Sequence, residues 1–283
     1  MMHAMRSLIL SIFVSILLMP AVHAQEQSSS ASSESSGSGA VVDIWTERAE
    51  RAEGFSSQWS RFALVHSSWI AKWQKVRGKL LLHIDRCHDD VRSANRDTLL
   101  PVSLQCYRGQ LLIERDALKN ERDVIDQWPG LSAELKTAML ARIDALQGAL
   151  QPIIDAIDAK VFTTLDAFRD VRENLRTQYR QPYWFAAAQV RNGTALTWLD
   201  ALLLSLKSAS EDTGFSEEVR QKITDALECY AIAEPFLIPS ETIDSLESLR
   251  ENLAKASGQI ASCSPVLSEA QALQHSSSSS SSL

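Results

Sequence analysis

The chain has 283 residues, 45% of them hydrophobic and 22% charged, with 28 basic against 35 acidic side chains. A formal charge of −7, with no concentrated run of Lys or Arg, argues against nucleic acid and anionic membrane surfaces as partners. Ten glycines and eight prolines punctuate it sparsely, which favours long uninterrupted helices over a strand-and-turn architecture.

The first expected element is a signal peptide at 1–24. Arg6 supplies a positive start, 8–18 (LILSIFVSILL) is an apolar core too short to span a bilayer, Pro20 breaks it, and Val22-His23-Ala24 suits cleavage before Gln25. No cysteine follows the core, so no lipid attachment is expected. Residues 25–40, with the run SSSASSESSGSG, read as a disordered Ser/Gly-rich tether, and 275–283 as a disordered Ser-rich tail.

From Phe55 a stripe steps by three and four through Trp59, Phe62, His66, Trp69, Trp73, Val76, Leu80, Ile84, Cys87 and Val91. This spacing predicts a coiled-coil-like helix over 42–96, weakened near Gly54. Leu99-Leu100-Pro101 is expected to interrupt it. A second helix over 102–127 places Leu104, Leu111, Leu118 and Ile125 at sevens on one face and Cys106, Ile113, Ala117 and Val124 on nearly the opposite one. A helix apolar on two sides belongs between neighbours.

Trp128-Pro129-Gly130 reads as a turn and Ser132 as a helix start. The apolar pattern then keeps phase across Gly148 and Pro152 to about Gln181, which predicts one helix kinked at Pro152. After Pro182 the segments read shorter: a turn at Asn192-Gly193, an apolar helix over 194–207, a helix capped by Ser216, and a last helix from Ser240 to about Ser257 with Gly258 as its stop. The fold class expected is all-α: an elongated antiparallel bundle of long helices over 41–181, with a region of shorter helices over 182–274 packed on it.

Four cysteines in an exported chain suggest disulfides. If the first two helices form an antiparallel hairpin turning near Arg96-Asp97, Cys87 and Cys106 lie level across it, and Cys229 pairs with Cys263 by elimination. The second bridge requires the chain after Gly258 to fold back.

Catalytic signals are weak. His83 and Cys87, four apart on a helix, have a metal-like spacing, but Cys87 is better explained as half a disulfide. Adjacent carboxylates such as Asp89-Asp90 and Glu217-Glu218 read as solvated helix-end charges, and no nucleophile motif or phosphate loop is present. Asn192-Gly193-Thr194 matches a glycosylation acceptor, and His66 is a lone imidazole in an apolar seam. No catalytic, cofactor-binding or metal residues are therefore expected. Tyr179, Tyr183, Trp184 and Phe185 cluster without heptad periodicity and are the candidate partner contact. The reading is a periplasmic or secreted helical interaction or scaffold protein. It would engage a protein partner or a second copy of itself, and have no membrane span after cleavage. The alternative is a small-molecule or glycan-binding bundle, extending to an enzyme of unfamiliar design.

Overall fold

The computed structural model describes residues 40–237 and 245–280, without the side chains of 40–43, 68–74, 77 and 274–280. The expected signal peptide, most of the tether and the side chains of Trp69 and Trp73 lie outside the described residues. Within them the protein is all-α, with no strand. The helices are α1 (Ala40–Ala52), α2 (Phe55–Ser93), α3 (Leu99–Asp126), α4 (Ala133–Asp158), α5 (Leu165–Asn174), α6 (Gln181–Glu211), α7 (Glu217–Ala231) and α8 (Leu246–Ser280). The chain divides into two compact units, one of 61–190 and one of 1–60 with 191–283.

The break between α1 and α2 falls at Gly54, whose φ of +64° is a left-handed conformation that costs glycine little. The expected interruption at Leu99-Leu100-Pro101 instead falls just upstream. Asn95 Oδ1 accepts from the backbone nitrogens of Asp97 and Thr98 at 3.0 and 2.9 Å, closing the turn. Pro101 then sits in the first turn of α3, where its missing N–H has no intrahelical partner to lose.

In unit 61–190, α2 and α3 run antiparallel, since Cys87 meets Cys106 near the turn and His66 meets Gln127 far from it. The α3–α4 hairpin carries a ladder of the same sense. Arg108 bonds Asp158 at 2.6 Å, Arg115 bonds Gln151 at 2.8 Å and Arg122 bonds Asp144 at 2.9 Å. Both sides of the ladder step by seven in opposite directions, the register an antiparallel heptad pair requires. Beneath it Leu104, Leu111, Leu118 and Ile125 are buried as expected, opposite a core that includes Ile143, Leu150 and Ile157.

Pro152 lies inside α4 and does not end it. The expected continuation to Gln181 fails further on: α4 ends at Asp158, Lys160 takes φ +55°, and Thr164 caps α5 by accepting from Ala167 N at 3.2 Å. No Gly or Pro marks that break, so the unbroken apolar phase concealed it.

Where short segments were expected, the helix is continuous. α5 passes through a π turn, Leu175–Arg180, directly into α6. Pro182 cannot donate to the carbonyl four residues back, and its ring would crowd that carbonyl. The wider π turn, in which the Gln181 nitrogen donates to the Arg176 carbonyl, lies immediately before it. Asn192-Gly193 is interior to α6, not a turn, because 190–206 is buried on nearly every side and burial outweighs a local turn preference. Gly258 likewise lies inside α8.

In the other unit, α7 and α8 are antiparallel, with Cys229 bonded to Cys263 and Lys222 paired with Glu269 at 2.9 Å. α8 begins 17 residues before Cys263, so it starts about 25 Å beyond the level of Cys229 at 1.5 Å per residue. The bridge therefore needs no fold-back after Gly258. α8 returns past the end of α7 as one helix.

Candidate functional site

The four expected contact aromatics sit around the π turn, and they are not equivalent. Tyr179 and Phe185 are half-buried, Trp184 is 39% exposed, and the Tyr183 hydroxyl donates to Glu121 Oε2 at 2.7 Å. The π turn also presents Arg180, which sequence reasoning passed over. Its Nε donates to Glu114 Oε1 at 3.0 Å, and its Nη1 to the Tyr107 hydroxyl at 3.5 Å. Tyr107 is enclosed further by the edge of Phe168 at 5.3 Å and by the Arg172 guanidinium at 5.3 Å over its ring. Burial opposes the Arg180 charge, but the Glu114 carboxylate outweighs it and holds the guanidinium above its ordinary value. Burial raises the Tyr107 phenol. Each polar group here is answered by another, so the cluster fixes the π turn rather than offering a free reactive group.

A second buried set lies in the other unit. Arg51 grips Asp200 on α6 through Nε at 2.6 Å and Nη2 at 3.1 Å, while Arg48 grips Glu234 in the connection after α7, its Nε at 3.0 Å from Oε1. The pairs are cross-linked, with Arg48 at 3.8 Å from Asp200 and Arg51 at 3.6 Å from Glu234. Two cations and two anions thus close on one another, with the exposed Glu47 carboxylate 3.6 Å from Arg51 at their edge. Asp200, with its side chain 0% exposed, has its carboxyl held above the usual range, first by burial and against the pull of Arg51. Trp45 lies between two cations, Arg48 at 4.5 Å and Lys207 at 5.1 Å from its ring centroid. The one signal that pointed here was an acid, Asp200, inside the apolar run of 194–207.

The residues weighed for chemistry are occupied. His83 Nε2 bonds the Cys106 carbonyl at 2.8 Å, and Cys87 shares its sulfur with Cys106. Among the described residues, no group of three His, Cys, Asp or Glu side chains could hold a metal ion. His66 is half-exposed, against the Phe62 ring at 4.6 Å and Gln127 at 3.1 Å. Asn192 is buried, and its Nδ2 donates to the Leu237 carbonyl at 2.5 Å, so the folded chain withholds the nitrogen a glycan would need.

A third feature is apolar. α2 leaves Leu64, Val65, Leu81, Leu82 and Ile84 exposed, although Cys87 and His83 on the same helix contact α3. Among the described residues no helix is long and apolar enough to cross a membrane. Comparison with protein-family models, with curated proteins and with solved structures finds no match for this chain.

Proposed function

We propose that this is an exported helical interaction protein that presents exposed apolar side chains of α2 to another protein chain and has no catalytic chemistry of its own. The observation that carries this reading is α2, where Leu64 is 79% and Leu82 60% exposed on a helix whose other side is packed. Isolated exposed leucines are ordinary, but several on one helix mark an interaction surface. The two disulfides, Cys87–Cys106 and Cys229–Cys263, suit an oxidising compartment, in keeping with a periplasmic or secreted protein cut before Gln25. The buried ion-pair sets support the same reading, because their charges neutralise one another instead of facing a substrate. Binding of a small ligand by Tyr179, Tyr183, Trp184 and Phe185 is the weaker reading, since Tyr183 is tied to Glu121.

The test is site-specific photocrosslinking in the producing cell, with the reactive group at Leu64, Leu82 or the exposed Ser262. Adducts to a defined protein from Leu64 or Leu82 and none from Ser262 support the proposal. Equal labelling at all three positions, or none at the two leucines, overturns it. The mass of the exported chain checks the compartment: a chain retaining 1–24 contradicts cleavage.

A further inference from the structure

Beyond the interaction reading, we propose that the Cys87–Cys106 bridge is a thiol–disulfide exchange site for a protein dithiol, and that its opening frees the end of α2. Cys87 is the sulfur that leaves, and His83 is the side chain that meets its charge. The two bridges of the chain differ in access. Cys87 and Cys106 are both half-buried, whereas Cys263 is 0% exposed. A thiol cannot reach the Cys263 sulfur, and attack on Cys229 would release a thiolate at Cys263 away from water, which is costly. Gln259 Nε2, 3.5 Å from that sulfur, offers an amide hydrogen in place of water. The cysteines of the first bridge keep their contact with solvent.

The first bridge also has an imidazole. His83 lies one turn before Cys87 on α2, with Nε2 2.8 Å from the Cys106 carbonyl and 3.5 Å from the Cys87 sulfur. A carbonyl only accepts, so Nε2 carries the hydrogen. Cys106 lies inside α3, where the ordinary partner of a carbonyl is the N–H four residues on, so the ring is not needed to satisfy it. The ring also rests against Gly109, where a Cβ would come within 2.4 Å of Cε1, and a glycine inside a helix weakens it. Stability alone does not call for a glycine and an imidazole beside a bridge. A sulfur that must take up negative charge does. Asp90, one turn after Cys87, opposes that charge, but it is exposed and water screens it.

The exchange runs in two displacements. A thiolate of the dithiol attacks the Cys106 sulfur in line with the S–S bond. A mixed disulfide forms at Cys106, the original bond breaks, and its electron pair leaves on Cys87, towards which the Nε2–H turns. The second thiolate of the dithiol then attacks the reductant's own sulfur in the mixed disulfide, and Cys106 leaves. The bridge gains two electrons and takes two protons in place of those the dithiol gave up, while the dithiol becomes a disulfide. A thiol whose anion is stabilised leaves faster. Opening acts on α2, because among its described residues from Ala63 to Ser93 none is buried, which makes the bridge a principal tie between that stretch and α3.

The experiment uses the folded, oxidised chain and neutral thiols, since Asp85, Asp89 and Asp90 stand at this end of α2. Dithiothreitol, trapped with N-ethylmaleimide and mapped by peptide mass, should open Cys87–Cys106 roughly tenfold or more faster than Cys229–Cys263. A brief pulse of 2-mercaptoethanol should leave its adduct on Cys106 and the maleimide on Cys87. In His83→Ala, whose folding circular dichroism checks, the adduct should divide between the two cysteines, an effect that loosened packing alone does not produce. Once the bridge is open, backbone amides of 75–93 should exchange faster. The proposal is overturned by a first bridge that opens no faster than the second, whether both react or neither does. An adduct mainly on Cys87, a wild-type adduct position in His83→Ala, or unchanged exchange over 75–93 overturns it equally.

Discussion

A methyl group added at Gly109 would lie 2.4 Å from Cε1 and 2.6 Å from Nε2 of His83, closer than any real contact. The ring must move, and with it the bond from His83 to the Cys106 carbonyl. Overpacking of this kind costs about 1–3 kcal/mol, against about 0.5–1 kcal/mol gained by removing a glycine from a helix interior. Gly109→Ala should therefore destabilise by about 1 kcal/mol. In a His83→Ala background the clash disappears and only the helix gain remains, so the same substitution should stabilise. Denaturant midpoints of the four proteins decide it, and an unchanged sign in both backgrounds would show that the ring is not what the glycine accommodates.

The Arg51–Asp200 pair supports a prediction with pH as its lever. Breaking a fully buried pair costs about 3–5 kcal/mol, but Arg51 is partly exposed and Arg48 remains 3.8 Å from Asp200. Arg51→Met should cost about 2–3 kcal/mol near neutral pH on that reasoning. Asp200 is already held above the usual carboxylate range by burial, and losing Arg51 removes the main influence that lowers it. A carboxyl raised in the folded state contributes stability that is present below its unfolded value of about 3.9 and lost as pH rises through the folded value. The variant's deficit should therefore shrink as pH falls from 7 toward 4. Urea melts across that range test this, and a deficit independent of pH would mean that Asp200 does not depend on Arg51 for its charge.

At the scale of elements, α3 provides the comparison with α2. Leu111 is fully buried on α3 whereas Leu82 is exposed on α2, so Leu111→Ala should cost about 2–5 kcal/mol and Leu82→Ala little. Equal losses in thermal melts would mean that the outer face of α2 is covered within the chain. The helices themselves were legible where the signal was local and periodic. The sevens of α3, the caps at Ser132 and Ser216, and the level cysteines of the α2–α3 hairpin are all present. Asn192-Gly193 failed as a stop because tertiary burial overrode local punctuation. Pro182 and Gly258 also read as stops and lie within helices, Pro182 directly after the π turn and Gly258 at an exposed position of α8. The opposite failure, the break after Asp158, carries no punctuation. The buried ion pairs were illegible for another reason: Arg48 and Glu234 are 186 residues apart, and nothing local to either names its partner.

For the whole molecule, the two disulfides fall one in each unit, Cys87–Cys106 within 61–190 and Cys229–Cys263 within the other. Cross-links act on the unfolded chain by an amount that grows with the logarithm of the loop they close. The sequence separations of 19 and 34 correspond to about 3 and about 4 kcal/mol on the chain-entropy model. The division between units falls inside α2 and inside α6. Cooperativity along a helix dies out within a few turns once side-chain packing is gone, so loss of one bridge should loosen its own unit most. Hydrogen exchange separates the cases. In a Cys229→Ser/Cys263→Ser protein, amides of α7, α8 and the buried part of α6 should lose up to about a thousandfold in protection, as about 4 kcal/mol implies. Those of α3 and α4 should change far less. In a Cys87→Ser/Cys106→Ser protein the order should invert. Uniform loss across all helices in both proteins would mean that the units open as one, and the boundary at 60/61 and 190/191 would then mark a geometric division with no energetic counterpart.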